Sequence, residues 1–169
     1  MRYLFNIETK IVRKKSLNEN EMSQLFDIVS SNMAQIGFKI KNDDKKIWSE
    51  NLSELLKSPD FFLYVVYKNS KIAGFVELCV QNNELILSEI ELSQNYKNSH
   101  ILLTILQCLS QEKEFLIYDH VKFHINKNNS KSIKTFTHLG AVPIKEQPNI
   151  YTLSREKLEN YLFSLLKKR

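Results

Sequence analysis

Apolar positions Met22, Leu25, Phe26, Val29 and Met33 recur at i, i+3, i+4, i+7 and i+11, the period of a helix with one buried face. Ser16-Leu17-Asn18-Glu19 has the form of a capping box that opens this helix. Ahead of it, residues 2–12 (RYLFNIETKIV) read as a first strand. Asp43 or Asp44 is placed to cap a second helix, with Ile47, Trp48, Leu52, Leu55 and Leu56 on its apolar side and Ser58-Pro59 as its stop.

The pattern then changes. Residues 61–67 (FFLYVVY), 72–80 (IAGFVELCV) and 84–92 (ELILSEIEL) are rich in β-branched and aromatic residues and are separated by Asn69-Ser70 and Asn82-Asn83, which predicts three antiparallel strands in a meander. Gly74, inside the second of these, marks a bulge or a close backbone approach. A polar loop at 93–99 leads to a helix carried by Ile101, Leu102, Ile105, Leu106 and Leu109. A strand at 121–125 leads to a helix at 129–139 with Ile133 and Phe136 buried and Gly140 at its C′ position. Residues 141–145 and 150–153 form a closing hairpin, and Ser154 caps a last helix with Leu158, Tyr161, Leu162 and Leu165 on one face. The helical crossover from strand 84–92 to strand 121–125 makes the sheet mixed.

At 169 residues the chain fits one domain. With 43% hydrophobic and 25% charged residues it is too apolar to stay disordered. The net charge of +5 admits an anionic ligand, although the excess of Lys over Arg also fits a plain compositional bias. Neither interleaved base-stacking aromatics nor a helix-turn-helix pattern supports a nucleic-acid partner. No stretch is long and apolar enough for a membrane span or a signal h-region, so a cytoplasmic protein is expected. Cys79 and Cys108 lie in apolar runs and no Cys/His spacing suits zinc, so no metal is expected.

Two segments carry chemistry. Asn129-x-x-Ser132-Ile133-x-x-Phe136-x-x-Leu139-Gly140 directly follows a strand. It resembles the late motif of the GNAT (Gcn5-related N-acetyltransferase) superfamily in spacing, with Phe136 where Tyr is common and Ala141 where Phe usually follows the glycine. Leu92-Ser93-Gln94-Asn95-Tyr96-Lys97-Asn98-Ser99-His100-Ile101-Leu102 is similar to the family's coenzyme motif at Leu92, Tyr96, Lys97 and Ile101. Asn98, His100 and Leu102 replace its small residues, so the loop is a degenerate one. The resemblance covers roughly residues 5–154, with a C-terminal helix at about 155–168 beyond it. It implies an α/β (α+β) fold with a mixed, mostly antiparallel central sheet flanked by helices.

It also implies acetyl-coenzyme A as cosubstrate, bound between the strand ending at Leu92 and the strand 121–125. Backbone groups of Ile90 to Leu92 would hold the pantetheine amides. Amides of Asn98, Ser99, His100, Ile101 and Leu102 would hold the pyrophosphate, with Lys97 adding cationic character beside them and Asn129, Ser132 and Phe136 on the facing helix. Glycine permits close backbone approach to phosphate at little steric cost, so His100 and Leu102 are expected to narrow the cradle. The period of two puts Glu89 and Glu91 on one face and Ile90 and Leu92 on the other.

Glu89 is the first candidate base for an amine acceptor and Glu91 the second; two solvated strand carboxylates are the plain alternative. Tyr96, Tyr118 and Ser132 are candidates for the acid, since Phe136 has no hydroxyl. His124 reads as structural. The resemblance thus implies acetyl transfer from acetyl-coenzyme A to an amine of a small molecule or peptide by direct attack. A catalytically impaired binding or regulatory module is the alternative. The apolar stripe of the C-terminal helix fits either the core or a second subunit of a homodimer.

Overall fold

The structure is a computed structural model that describes residues 9–41, 43–97 and 100–167. The chain enters as β1 (Thr9–Lys14) and turns into α1 (Glu19–Gln35). Of the predicted first strand, residues 2–8 lie outside the described residues. The cap of α1 sits two residues later than predicted: Asn18, not Ser16, is the N-cap. Its Oδ1 accepts from the Glu21 amide at 2.8 Å, and the Glu21 carboxylate accepts from the Asn18 amide at 3.2 Å. Glu21 also accepts from Lys14 Nζ (2.6 Å) and from Tyr67 Oη (2.8 Å), contacts open to Glu21 and not to Glu19.

In α2 (Asp44–Leu55), Asp43 occupies the N-cap without a side-chain bond, and the Asp44 carboxylate accepts from the Lys41 amide at 2.7 Å. Trp48 and Leu52, one helical turn apart, reach the sheet. The apolar face is narrower than predicted, because Ile47 and Leu55 are 54% and 45% exposed.

The strands β2 (Phe61–Lys68), β3 (Lys71–Gln81) and β4 (Glu84–Leu92) form the expected antiparallel meander. Both connecting turns hold positive φ at their two central residues, 50° and 64° at Asn69-Ser70 and 50° and 61° at Asn82-Asn83, the twist that suits a tight hairpin. Gly74 answers to both readings of it. The β2–β3 register slips beside it at Ala73, and a Cβ on Gly74 would stand 2.2 Å from the Glu91 carbonyl oxygen.

The crossover helix α3 (Ile101–Leu109) is followed by α4 (Lys113–Tyr118), which the pattern did not predict: six residues with only the adjacent Glu114 and Phe115 buried are too few to show a period. Then come β5 (His120–His124), α5 (Ser130–His138), β6 (Val142–Ile144), β7 (Gln147–Ser154) and α6 (Arg155–Lys167). Among the described residues the sheet has seven strands in the order β1-β2-β3-β4-β5-β7-β6, antiparallel throughout except for β4 and β5. Leu25 and Val29 of α1 and Leu52 of α2 pack on one face with Leu63, Val65 and Phe75. Residues of α3 through α6 cover the other face and form the larger core, which includes Leu158 and Leu162 of α6.

Candidate functional site

The site is built where β4 changes its company at both edges. Toward β5 the parallel ladder holds only Leu85↔Val121 and Ile86↔Lys122, so past Ile86 the outer edge of β4 has no β5 partner in the ladder. The two strands part at their C-terminal ends, the side from which α3 and α5 start, and helix N-termini carry free N–H groups and partial positive charge. Toward β3 the register slips: Leu78 faces Leu87 and Glu77 faces Glu89, leaving Ser88 as an extra residue. The bulge reverses the alternation. Before it Leu85 and Leu87 enter the larger core; after it Ile90 and Leu92 do. Glu89 and Glu91 are thereby turned to the α1/α2 side, which an unbroken alternation from Leu87 would not have done.

There they meet Glu77 of β3, and the result is an acidic floor. Glu77 is 7% exposed and lies directly opposite Glu89. A cleft of about 210 Å³ opens above, lined by Glu77, Ser88 and Glu89 from the sheet and by Trp48, Asn51, Leu52 and Leu55 from α2. Burial, then the neighbouring carboxylates, pushes Glu77 up to about 8. Burial, then Glu91, raises Glu89 to about 7. Desolvation raises Glu91 as well, opposed by a hydrogen bond from Asn32 and the charge of Lys97. A carboxyl poised near neutrality beside an open cleft is suited to proton transfer.

Asn32, near the end of α1, ties this floor to the end of β4. Its Nδ2 donates to the Glu91 carboxylate and, at 3.1 Å, to the Leu92 carbonyl, while its Oδ1 accepts from Gln94 Nε2 at 2.7 Å. The Leu92 carbonyl, one of the groups the resemblance would offer to a pantetheine, therefore already has a protein donor. Lys97 follows the short turn at Gln94–Tyr96 and donates to Gln35 Oε1 at 3.0 Å. Lys131, in the first turn of α5, is close enough for its charge to help lower Lys97 below the usual lysine range, after burial as the main cause. Two cations thus lie near one another where β4 and β5 part.

The remaining predicted residues divide by what their side chains do. Asn98 and Ser99 lie outside the described residues. His100 is exposed at the N-cap of α3, its carbonyl accepting from the Thr104 amide at 3.1 Å. Ile101 is buried in the larger core, and Leu102, half-buried, packs against it. Asn129 caps α5, its Oδ1 accepting from the Ser132 amide at 3.1 Å, and Ser132 is half-buried. The Phe136 ring is 6% exposed and packs 4.8 Å from Phe123. Ile90 is half-buried against the larger core. Tyr96 and Tyr118 also pack there, and His124 is exposed at the end of β5.

Glu77 and Lys131 are absent from the candidates read in the sequence. For Glu77 the signal was a lone carboxylate within FVELCV, a position where a solvated acid has no place. For Lys131 it was a cation two residues after Asn129.

No family model matches the sequence, and no curated protein matches it. Solved structures do match the fold. The PaiA N-acetyltransferase of Thermoplasma acidophilum, in complex with coenzyme A, is 17% identical over 86% of this chain and 99% of that one, with a TM-score of 0.65. FdhC, a nucleotide-linked sugar GNAT in its apo form, is 15% identical over 96% and 97% of the two chains, with a TM-score of 0.71. An acetyltransferase of the GNAT family from Staphylococcus aureus Mu50 is 18% identical over 87% and 99%, with a TM-score of 0.67. Identities this low speak for architecture, and in its architecture, a mixed seven-stranded sheet parted between β4 and β5 with helices on both faces, the chain has the fold of the GNAT N-acetyltransferases.

Proposed function

We propose that the protein transfers an acetyl group from acetyl-coenzyme A to an amine, with Glu89 as the base. One observation carries the reading: Glu89, raised to about 7, stands on the cleft side of β4 while the opposite edge of the same strand borders the gap toward β5. The parting of β4 and β5, the N-terminal ends of α3 and α5, and Lys97 with Lys131 fit an extended, anionic coenzyme. When bound, the coenzyme supplies an activated thioester. The protein's part is to hold the amine and accept its proton at a Glu89 carboxylate oxygen. The free nitrogen lone pair then forms the amide C–N bond as the C–S bond breaks, and the second N–H proton of the attacking nitrogen passes to the departing sulfur, which leaves as a thiol.

The test is a calorimetric titration with acetyl-coenzyme A and with free coenzyme A, followed by a screen of amines for thiol release. Micromolar binding and turnover are expected. Glu89→Gln is expected to leave binding intact and lower turnover by about 10²–10⁴. The wild-type rate is expected to rise with pH through about 7, as Glu89 ionises. Failure to bind coenzyme at millimolar concentration, or undiminished turnover in Glu89→Gln, overturns the proposal.

A further inference from the structure

Glu77 is left unexplained by a mechanism in which Glu89 alone is the base. As a residue Glu77 is more than nine-tenths buried; it lines the cleft and, among the described residues, takes part in no hydrogen bond or ion pair. Its electrostatic neighbours on β4, Glu89 and Glu91, have the same sign. The four α2 residues facing it, Trp48, Asn51, Leu52 and Leu55, carry no charge; from α1, Asn32 reaches Glu91, and Lys97 acts on Glu91 from beyond. Two acids opposed across paired strands repel, and a buried unpaired carboxylate is costly. Two opposed acids beneath an open cleft suit a cation that the cleft admits.

The walls select its kind. A hard divalent metal requires oxygen ligands on most sides, whereas the side facing the acids offers Asn51 among Trp48, Leu52 and Leu55, and among the described residues no three His, Cys, Asp or Glu side chains are grouped as metal ligands. An aromatic ring and aliphatic side chains suit a hydrocarbon arm and the underside of an organic cation. About 210 Å³ gives room for roughly seven groups the size of a water molecule, enough for an ammonium on a short chain. A diphosphate-linked ligand would bring further negative charge to the acidic floor.

We propose that Glu77 and Glu89 together receive a primary ammonium at the end of a short apolar arm lying along Trp48, so that the acceptor is a small alkylamine bound in its cationic form. At rest the pair shares one proton, consistent with the raised values of both acids, and carries one negative charge. The ammonium donates hydrogen bonds to both carboxyls. One N–H bond breaks as an O–H bond forms at Glu89, which frees the nitrogen lone pair. The pair then holds two protons and returns one to solvent before the next acceptor enters. Glu77 thus serves as a second contact for the amine and as the resting store of the shared proton.

The proposal rests on the acetyl-transfer reading, yet it is tested without coenzyme. Trp48 is the sole tryptophan of the chain and lines the cleft, so its fluorescence reports occupancy. The intact protein is titrated with hexylamine, hexan-1-ol, hexanoate and magnesium chloride. Hexylamine is expected to shift the emission, hexan-1-ol to bind at least roughly ten-fold more weakly, and hexanoate and magnesium to leave it unchanged. Glu77→Gln is expected to weaken hexylamine roughly ten-fold, and Glu89→Gln serves as the second variant if thermal unfolding shows the first misfolded.

Equal response to amine and alcohol, no response to the amine, stronger displacement by magnesium, or unchanged affinity in Glu77→Gln overturns the proposal. Coenzyme A titrated calorimetrically into the same samples separates the two failures. Amine bound without coenzyme binding removes the acetyl-transfer reading and leaves the ammonium site standing. Coenzyme bound without amine binding does the reverse.

Discussion

The two faces of the central sheet are built from the same strands to opposite ends. The face under α3 through α6 is an apolar core in which Val76, Leu78, Leu85 and Ile105 are essentially inaccessible to water, and the acid buried on that side, Glu114 of α4, is paired with Arg13 of β1 at 3.2 Å. The face under α1 and α2 is also apolar near Leu25, Leu63 and Phe75, but at Glu77, Glu89 and Glu91 it buries acids and stays open as a cleft. β3 and β4 each serve both. The proposed function belongs to the face where packing is left incomplete and acids are buried without a cationic partner for Glu77, since perturbed groups beside a cleft mark a candidate site.

The most severe way to break this division is to disturb the pairing that creates it. Gly74→Ala would place a methyl group 2.2 Å from the Glu91 carbonyl oxygen and 2.7 Å from Leu92 Cδ2, and backbone cannot move aside without shifting the β3–β4 register. The expected loss is about 3 kcal/mol or more, read by urea unfolding, together with loss of the Trp48 response to amine. An unchanged unfolding midpoint would mean that the close approach at Gly74 does not hold the register.

Much of the fold was legible in the chain because local rules and tertiary packing agree. Glu84–Leu92 emerges with the limits its alternation suggests, and Gly140 takes the left-handed φ of 98° that a helix C′ position favours. The site was legible only in half. Glu89 and Glu91 stand out in ELILSEIEL, but which face they reach depends on a bulge at Ser88, a residue that carries no bulge signature. Glu77 meets Glu89 only through that register, a long-range fact that no local pattern contains. The displaced cap at Asn18 has the same cause: Glu21 is selected by Lys14 and Tyr67, and Tyr67 lies far along the chain.

The acidic face also predicts a pH dependence of stability. The folded state raises Glu77 to about 8, against 4.5 as the ordinary value, so between those values it holds a proton that the unfolded chain releases. Stability therefore falls as pH rises through this window, with Glu89 contributing in the same direction up to about 7. Replacing Glu77 by Leu removes the larger part of that penalty. The variant is expected to gain on the order of a few kcal/mol over the wild type near pH 9 and much less near pH 4. Urea unfolding at the two pH values checks this. A parallel pH dependence in both proteins would show that Glu77 is solvated and that the two faces do not differ in the way described.

The smallest expected effect concerns the strap between the faces. Asn32 holds Glu91, the Leu92 carbonyl and Gln94 at once, and so fixes the end of β4 against α1 where the strand passes from the acidic cleft to the gap toward β5. Asn32→Ala leaves groups that water can reach in part, since Glu91 is only half-buried and Gln94 exposed, and the expected cost is about 1–2 kcal/mol. Its diagnostic consequence is electrostatic. The Asn32 hydrogen bond lowers Glu91 against the desolvation that raises it, so removing the amide should move the Glu91 carboxyl upward in an NMR titration. A second like-charged acid would then be neutral over more of the pH range, and Glu89, which Glu91 pushes up, should move down in response. Opposite displacements of two carboxyls from one distant amide would show that the floor titrates as a unit. Displacement of Glu91 alone would confine Asn32 to holding the strand end.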